Sequence, residues 1–390
     1  RSLALTVMPA NGTAMAAAAA AAAADASANE LHVRLRLTSD ARLAATGASR
    51  PKKAARAYAQ DSTLEAWTLN TLQLHSRGLM NVWVPLLLVA IVAGAWTPVA
   101  TLYYLDSETC RVLSASESAF KLVLTALSFL LVFRLNRSAA RHYEARQLAG
   151  SMIVHCRDLA TTSVAAHASA ASVLSAETRD RLCEVAVAFP VAFMLHVWGD
   201  PGERAAAFER MCAGVFDAPT MARFVDVGNR PLALIEHAQA VLAAQFLGGG
   251  GAASPVHAEL YRSLLSSARG LGLPLGGCER IQGTPLPFAY VVHLRSFLLL
   301  VLCGIPIIYA CDWRWTTIPL SLLVAFGLLG IEAASVECER PFSATPTKNS
   351  HDVEKFCAVI SSEVTEMLER AAARAWHTAA PPSYHSAQAD

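Results

Sequence analysis

Thr125, Phe129 and Phe133 recur every four residues in the segment AFKLVLTALSFLLVFRLN. At 3.6 residues per turn they share one face of a helix. Phenyl rings gathered around an axis would form an apolar constriction that closes to ions by dewetting. The positive edge of such a ring favours an anion over a cation. Arg134, Asn136, Arg137 and Arg141 follow directly. Basic groups at the mouth of a constriction raise the local anion concentration, and an Asn amide can donate to a partly dehydrated anion. Plainer readings stand beside these. Apolar stripes on helices are more often packing than lining, and arginines flank membrane spans or pair with acids such as Glu144. Arg295 and Glu332 lie near membrane depth, where an ionisable group is costly and is paired or lines water. Pairing and a place in an ion pathway both remain open for these two.

Residues for other chemistry are missing. GLGLPLGG at residues 270–277 follows no strand and so is not a dinucleotide fingerprint, and neither a P-loop, HExxH nor GxSxG occurs. His155, His196, His237 and His293 are scattered through apolar or helical contexts. The nine cysteines include no CxxC pair, which argues against a disulfide framework or a zinc site; several read as small hydrophobes. No enzyme, cofactor or metal site is expected. A net charge of +1 gives no reason to expect a nucleic-acid partner.

The elements that would position these residues follow from composition. Of 390 residues, 54% are hydrophobic and 16% charged, against about 25% charged in a soluble domain. The apolar residues gather into four blocks long enough to span a bilayer, at about 79–104, 119–135, 288–310 and 315–331. The last two are separated by Cys311 to Arg314 and form a tight hairpin. Trp83, Trp96, Tyr103 and Tyr104 sit near the ends of the first block, as interfacial aromatics do. Lys and Arg gather before the first block (Arg50, Lys52, Lys53, Arg56, Arg77) and after the second (Arg134, Arg137, Arg141, Arg146, Arg157). The loop between them carries Asp106, Glu108, Arg111 and Glu117. The positive-inside rule then puts both termini and residues 136–287 on the same side, the stroma or cytosol. Residues 139–155 read as the second block continuing into solvent, and residues 179–195 as a buried helix. With no strand alternation, the expected class is all-α: a polytopic membrane protein of four transmembrane helices with a helical cytosolic or stromal part at 136–287 and 332–373.

Residues 1–60 are rich in Ala, Ser, Thr and Arg, poor in acid, and include nine alanines at 16–24. That composition fits a disordered leader, an organelle transit peptide directing the protein to a plastid; a secretory signal with residues 16–24 as a weak apolar core, or plain low-complexity sequence, is the rival reading. Residues 374–390 read as a disordered tail.

Three ordered groups of residues resemble the bestrophin family, particularly its bacterial and plant branch. The first is Ser128 to Asn136 (SFLLVFRLN), followed by Arg141 to Arg146 (RHYEAR) and Arg157 to Ala160 (RDLA). The second is Ala188-Phe-Pro190. The third comprises Gly277 to Ile281 (GCERI), Thr284 to Pro287 (TPLP), Tyr290, His293-Leu-Arg295, Thr317-Ile-Pro319, and Gly330-Ile-Glu332 through to Arg340-Pro-Phe342. The resemblance covers about residues 62–370, within a channel domain at 61–373. It implies a homopentamer around one central pore. The second span would line an apolar neck, opening into a helical vestibule. Phe129 and Phe133 match the neck aromatics, while Thr125 matches a position that is often apolar. The implied activity is passive conduction of chloride, bicarbonate or other small monovalent anions, in a thylakoid membrane if the leader directs import. A coupled anion transporter or a non-conducting membrane scaffold is the alternative. The implied partners are further copies of the chain, the bilayer and small anions. Animal members carry an acidic calcium clasp after the Pro-Phe that matches Pro341-Phe342. Here the run is Ser343 to Lys348 (SATPTK), which lacks carboxylates, so no calcium clasp is expected.

Overall fold

In a computed structural model of the chain, residues 79–105, 107–169, 173–198, 204–248, 254–342 and 351–378 are described. The leader at 1–60, the run 343–348 and residues 379–390 lie outside them. The described residues form α-helices: α1 (Leu79–Tyr103), α2 (Glu108–Ala115), α3 (Glu117–Ala168), α4 (Ala176–Val197), α5 (Arg204–Met211), α6 (Ala218–Val225), α7 (Arg230–Leu247), α8 (Pro255–Gly270), α9 (Gly272–Gly283), α10 (Phe288–Trp313), α11 (Thr317–Glu339) and α12 (Val353–Thr378). No strand occurs among them. Helix α12 runs to Thr378, past residue 374 where the sequence places the start of the tail.

The helices divide into two units. One holds α1, α2, α10, α11 and the part of α3 up to Gln147. Here α10 and α11 both pack along α1 and against one another. Their shared core is aliphatic: Val89 of α1, Leu127 and Leu131 of α3, Leu298 and Val301 of α10, and Leu329 of α11 are all buried. Gly304 allows the close approach of α10 to α3, since a Cβ there would meet the Phe120 ring at 2.9 Å. The other unit is built around α4, which is buried along nearly its whole length and packs against α7 and α12.

Among the described residues, three helical stretches are long and apolar enough to cross a membrane: Val82–Tyr103, Glu117–Ala168 and Phe288–Glu339. The sequence points to four spans, and the difference lies in the third stretch. It contains two helices, α10 and α11, joined by a single 3₁₀ turn at Arg314–Thr316. Arg314 opens that turn with φ 53°, a region an L-residue enters at some cost. The second stretch is one unbroken helix of 52 residues. At 1.5 Å per residue it is about 78 Å long, against a hydrocarbon core of about 30 Å. The apolar block and the polar continuation read from the sequence are therefore one element.

The cysteines require a correction. Scattered spacing argues against disulfides, yet Cys110 of α2 is bonded to Cys311 of α10, with Cα atoms 5.8 Å apart. A separation of 201 residues hides the pair from any spacing rule. Elsewhere the hydrophobe reading holds: burial pushes the Cys183 and Cys278 thiols up to about 12, so both stay protonated and inert.

Candidate functional site: the two faces of α3

Helix α3 presents two chemically opposite faces between Thr125 and Arg141. On one, Phe129 is 61% and Phe133 65% exposed, and Val132 is also exposed. Thr125 is exposed too, with its hydroxyl turned back to donate to the Lys121 carbonyl at 2.8 Å. Asn136 and Arg137 extend this exposed face toward the C-terminal end of the helix. An apolar aromatic stripe left uncovered on a helix whose other side is packed marks a surface that lipid, another chain or a pore must meet.

The opposite face carries Leu127, Leu131, Arg134 and Ser138, all buried. Arg134, which the sequence groups with Asn136, Arg137 and Arg141, is not on the exposed face. Its side chain is closed off from solvent, with Nη1 3.1 Å from Glu332 Oε1 and Nη2 3.2 Å from Glu339 Oε1. The physical reason is angular. At 100° per residue Arg134 lies about 140° around the helix from Phe129, on the side of the leucines. Arg295 Nε donates to Glu332 Oε1 at 2.7 Å, so Glu332 bridges two arginines. Ser138 Oγ lies 3.2 Å from Glu339 Oε1 and 2.9 Å from the Arg134 carbonyl. Two guanidinium groups and two carboxylates thus form a charge-balanced cluster joining α3, α10 and α11. A buried charge is tolerable in this form, with opposite charge supplied on more than one side.

Arg141 is also drawn into structure. Nη1 donates to the Thr284 carbonyl at 2.7 Å and Nη2 to the Ile281 carbonyl. Those carbonyls belong to the end of α9 and the turn after it, so Arg141 ties that corner to α3. Arg280 pairs with Glu144 beside it. A cavity of about 300 Å³ opens between these residues and Arg137. Of the basic residues read as a pore mouth, Arg137 therefore stays on the exposed face with Asn136, while Arg134 and Arg141 are engaged with the protein. Sequence reading passed over Glu339 as the second carboxylate on Arg134. The spacing of Leu127, Leu131, Arg134 and Ser138 puts Arg134 on the leucine face, but nothing near it in the chain names the carboxylate it meets.

A family model described as "Bacterial/Fungal Bestrophin protein" matches residues 59–366. The chain belongs to the bestrophin family. Among its relatives is a voltage-dependent anion channel-forming protein of a Nostoc species, 28% identical over 241 residues, covering 62% of this chain and 74% of that one. Another is the Arabidopsis thaliana protein named voltage-dependent chloride channel 2, chloroplastic, 27% identical over 283 residues. The match covers 72% of this chain but 63% of the Arabidopsis protein. The bestrophin fold is matched by the crystal structure of a point variant of a bacterial bestrophin homologue from Klebsiella pneumoniae. Its TM-score is 0.62 at 20% identity, covering 73% of this chain and 98% of that one.

Proposed function

We propose that the chain self-associates into a passive, anion-selective membrane channel whose pore is lined by the exposed face of α3. The observation that carries this is the aromatic stripe of Phe129 and Phe133, left uncovered on a helix whose opposite face is sealed by leucines and a charge cluster. Family membership and the channel names of the relatives point to an ion channel rather than an enzyme. In this reading the assembly is a homopentamer. Thr125, Phe129 and Phe133 form the neck, and Asn136 with Arg137 attracts anions at its inner mouth. Helices α10 and α11 cross the membrane separately, giving four spans with α1 and α3. Chloride is the first permeant ion to consider, with bicarbonate next, in a chloroplast thylakoid membrane. The sequence SATPTK at 343–348 offers no carboxylate, so gating proceeds without a calcium clasp there.

The test is anion entry into proteoliposomes that hold a halide-quenched dye. Reconstituted oligomer should admit chloride, and Phe129→Ala/Phe133→Ala should raise the rate by removing the apolar barrier. Equal rates in protein-free vesicles and in vesicles carrying folded oligomer would overturn the reading.

A further inference from the structure

Helix α2 is eight residues long and buries a single side chain, Cys110. Its sulfur is bonded to Cys311 at the C-terminal end of α10. The bond lies among Ala100 and Ala310, with Trp96 and Leu113 packed against it. Ser114 Oγ also donates to the Asp312 carboxylate at 3.0 Å, and the Ser107 side chain caps α2 by accepting from the Cys110 amide. Only Ser116 separates α2 from α3. Whatever fixes α2 therefore fixes the first turn of the helix that carries Thr125, Phe129 and Phe133.

The bond also has a side. Glu108, Arg111, Asp312 and Arg314 surround it in sequence and mark an aqueous boundary. The arginine-rich flank of the apolar stretch of α3 lies at the far end of that stretch, beyond residue 133. By the positive-inside rule the bond faces away from the compartment that holds those arginines. Disulfides form and persist in oxidising compartments, so two independent features point to the same side.

We infer that Cys110–Cys311 is a reversible thiol–disulfide site, acted on by a dithiol reductant from the outer, oxidising side, which fastens the outer end of α3 to α10. Its effect on conduction rests on the pore reading above; its existence and sidedness do not. In the reaction, one thiolate of the reductant attacks a protein sulfur, and the other cysteine leaves as a thiolate. The second thiolate of the reductant then displaces the remaining cysteine and departs as a cyclic disulfide. Two electrons pass to the protein, and two protons from water complete the thiols. Both cysteines are nearly covered, at 5% and 9% exposure, so the exchange is slower than at an open disulfide. Reduced α2 keeps the Ser114–Asp312 bond and its apolar contacts. It loosens rather than unfolds, and the first turns of α3 gain freedom to tilt.

The experiment uses the intact oligomer in proteoliposomes. Thiols are alkylated without prior reduction, and digestion is followed by mass spectrometry. A charged phosphine serves as the impermeant reductant (it takes oxygen from water as it delivers two electrons). The expected result is a linked Cys110–Cys311 peptide. It disappears when phosphine is added on the α2 side and persists when phosphine is confined to the arginine side. In a planar bilayer the same addition should shift the open probability. Cys110→Ser/Cys311→Ser should start in the shifted state and ignore the reductant. Alkylation of both cysteines in never-reduced protein, reduction from the arginine side alone, or complete reduction with unchanged open probability would each overturn the inference. A linked peptide with the expected sidedness in protein that never conducts sustains the site and removes the pore reading instead.

Discussion

Replacing Arg134 with Met separates two roles for this residue that the sequence leaves entangled. The arginine is 1% exposed and faces Glu332 and Glu339 at 3.1 and 3.2 Å. At an effective dielectric of 20, each contact is worth about 5 kcal/mol of Coulomb attraction. Most of that is offset by the several kcal/mol needed to dehydrate each ion, so the intact cluster contributes little net stability. Removing one member is different. In Arg134→Met, Glu332 keeps Arg295, whereas Glu339 keeps Ser138 and loses Arg134, its paired cation among the described residues. Breaking a buried pair in this way costs about 3–5 kcal/mol. The assay is the melting of the purified oligomer, followed by size-exclusion chromatography after heating. Arg134→Met should melt well below the parent. Arg134→Met/Glu339→Gln should regain part of the loss, with a coupling of about 1–3 kcal/mol. Melting unchanged in the single variant, accompanied by reduced anion conductance, would refute the burial argument. It would return Arg134 to the pore mouth.

Three further outcomes follow from the other unit and can be read by the same melting assay. A Cβ at Gly270 would enter the His155 imidazole, so Gly270→Ala should cost about 1–3 kcal/mol, whereas Gly276→Ala, with open space around it, should be close to neutral. The half-buried His237 packs edge-on to Phe224 at 5.5 Å, and burial, with Arg181 and Arg223 nearby, pushes its pKa below 6.5 despite the opposing charge of Asp217. The unfolded chain then binds more protons, so this stability is present above about 6.5 and is lost as pH falls. His237→Gln should flatten the melting curve against pH below that value, and an unchanged slope would show that another group controls it. Asp217 caps α6 by accepting from the Thr220 amide at 3.0 Å, and Arg181 holds its carboxyl well below the usual range. Asp217→Ala should lose about 1 kcal/mol, while Asp217→Asn should keep most of the cap. The contribution should persist down to about pH 3.8 and fade below it as the carboxylate is neutralised.

The parts of the fold that were legible in the sequence are those written in local composition. Apolar blocks locate α1, the start of α3, α10 and α11, because a bilayer demands a run of side chains of one kind. The buried helix α4 shows in RDRLCEVAVAFPVAFML because the run from Val185 to Leu195 is apolar on all sides. Contacts that depend on distance in the chain were not legible. Cys110–Cys311 spans 201 residues, and nothing at either cysteine announces the other. The cluster of Arg134 with Glu332 and Glu339 spans about as many. The two faces of α3 fall between these cases. The four-residue spacing of Thr125, Phe129 and Phe133 shows in the sequence, and so does the leucine stripe opposite. Grouping Arg134, Arg137 and Arg141 at one mouth leaves out their angles around the helix. Arg134 belongs with the leucines, and Arg141 reaches back to the carbonyls of Ile281 and Thr284.

The most direct test of the channel reading is the reversal potential of the purified oligomer in a planar bilayer under a potassium chloride gradient. The account predicts single-channel steps that reverse near the chloride equilibrium potential, with larger conductance in Phe129→Ala/Phe133→Ala. Reversal near the potassium potential, or silence at every voltage from folded and assembled protein, would contradict it.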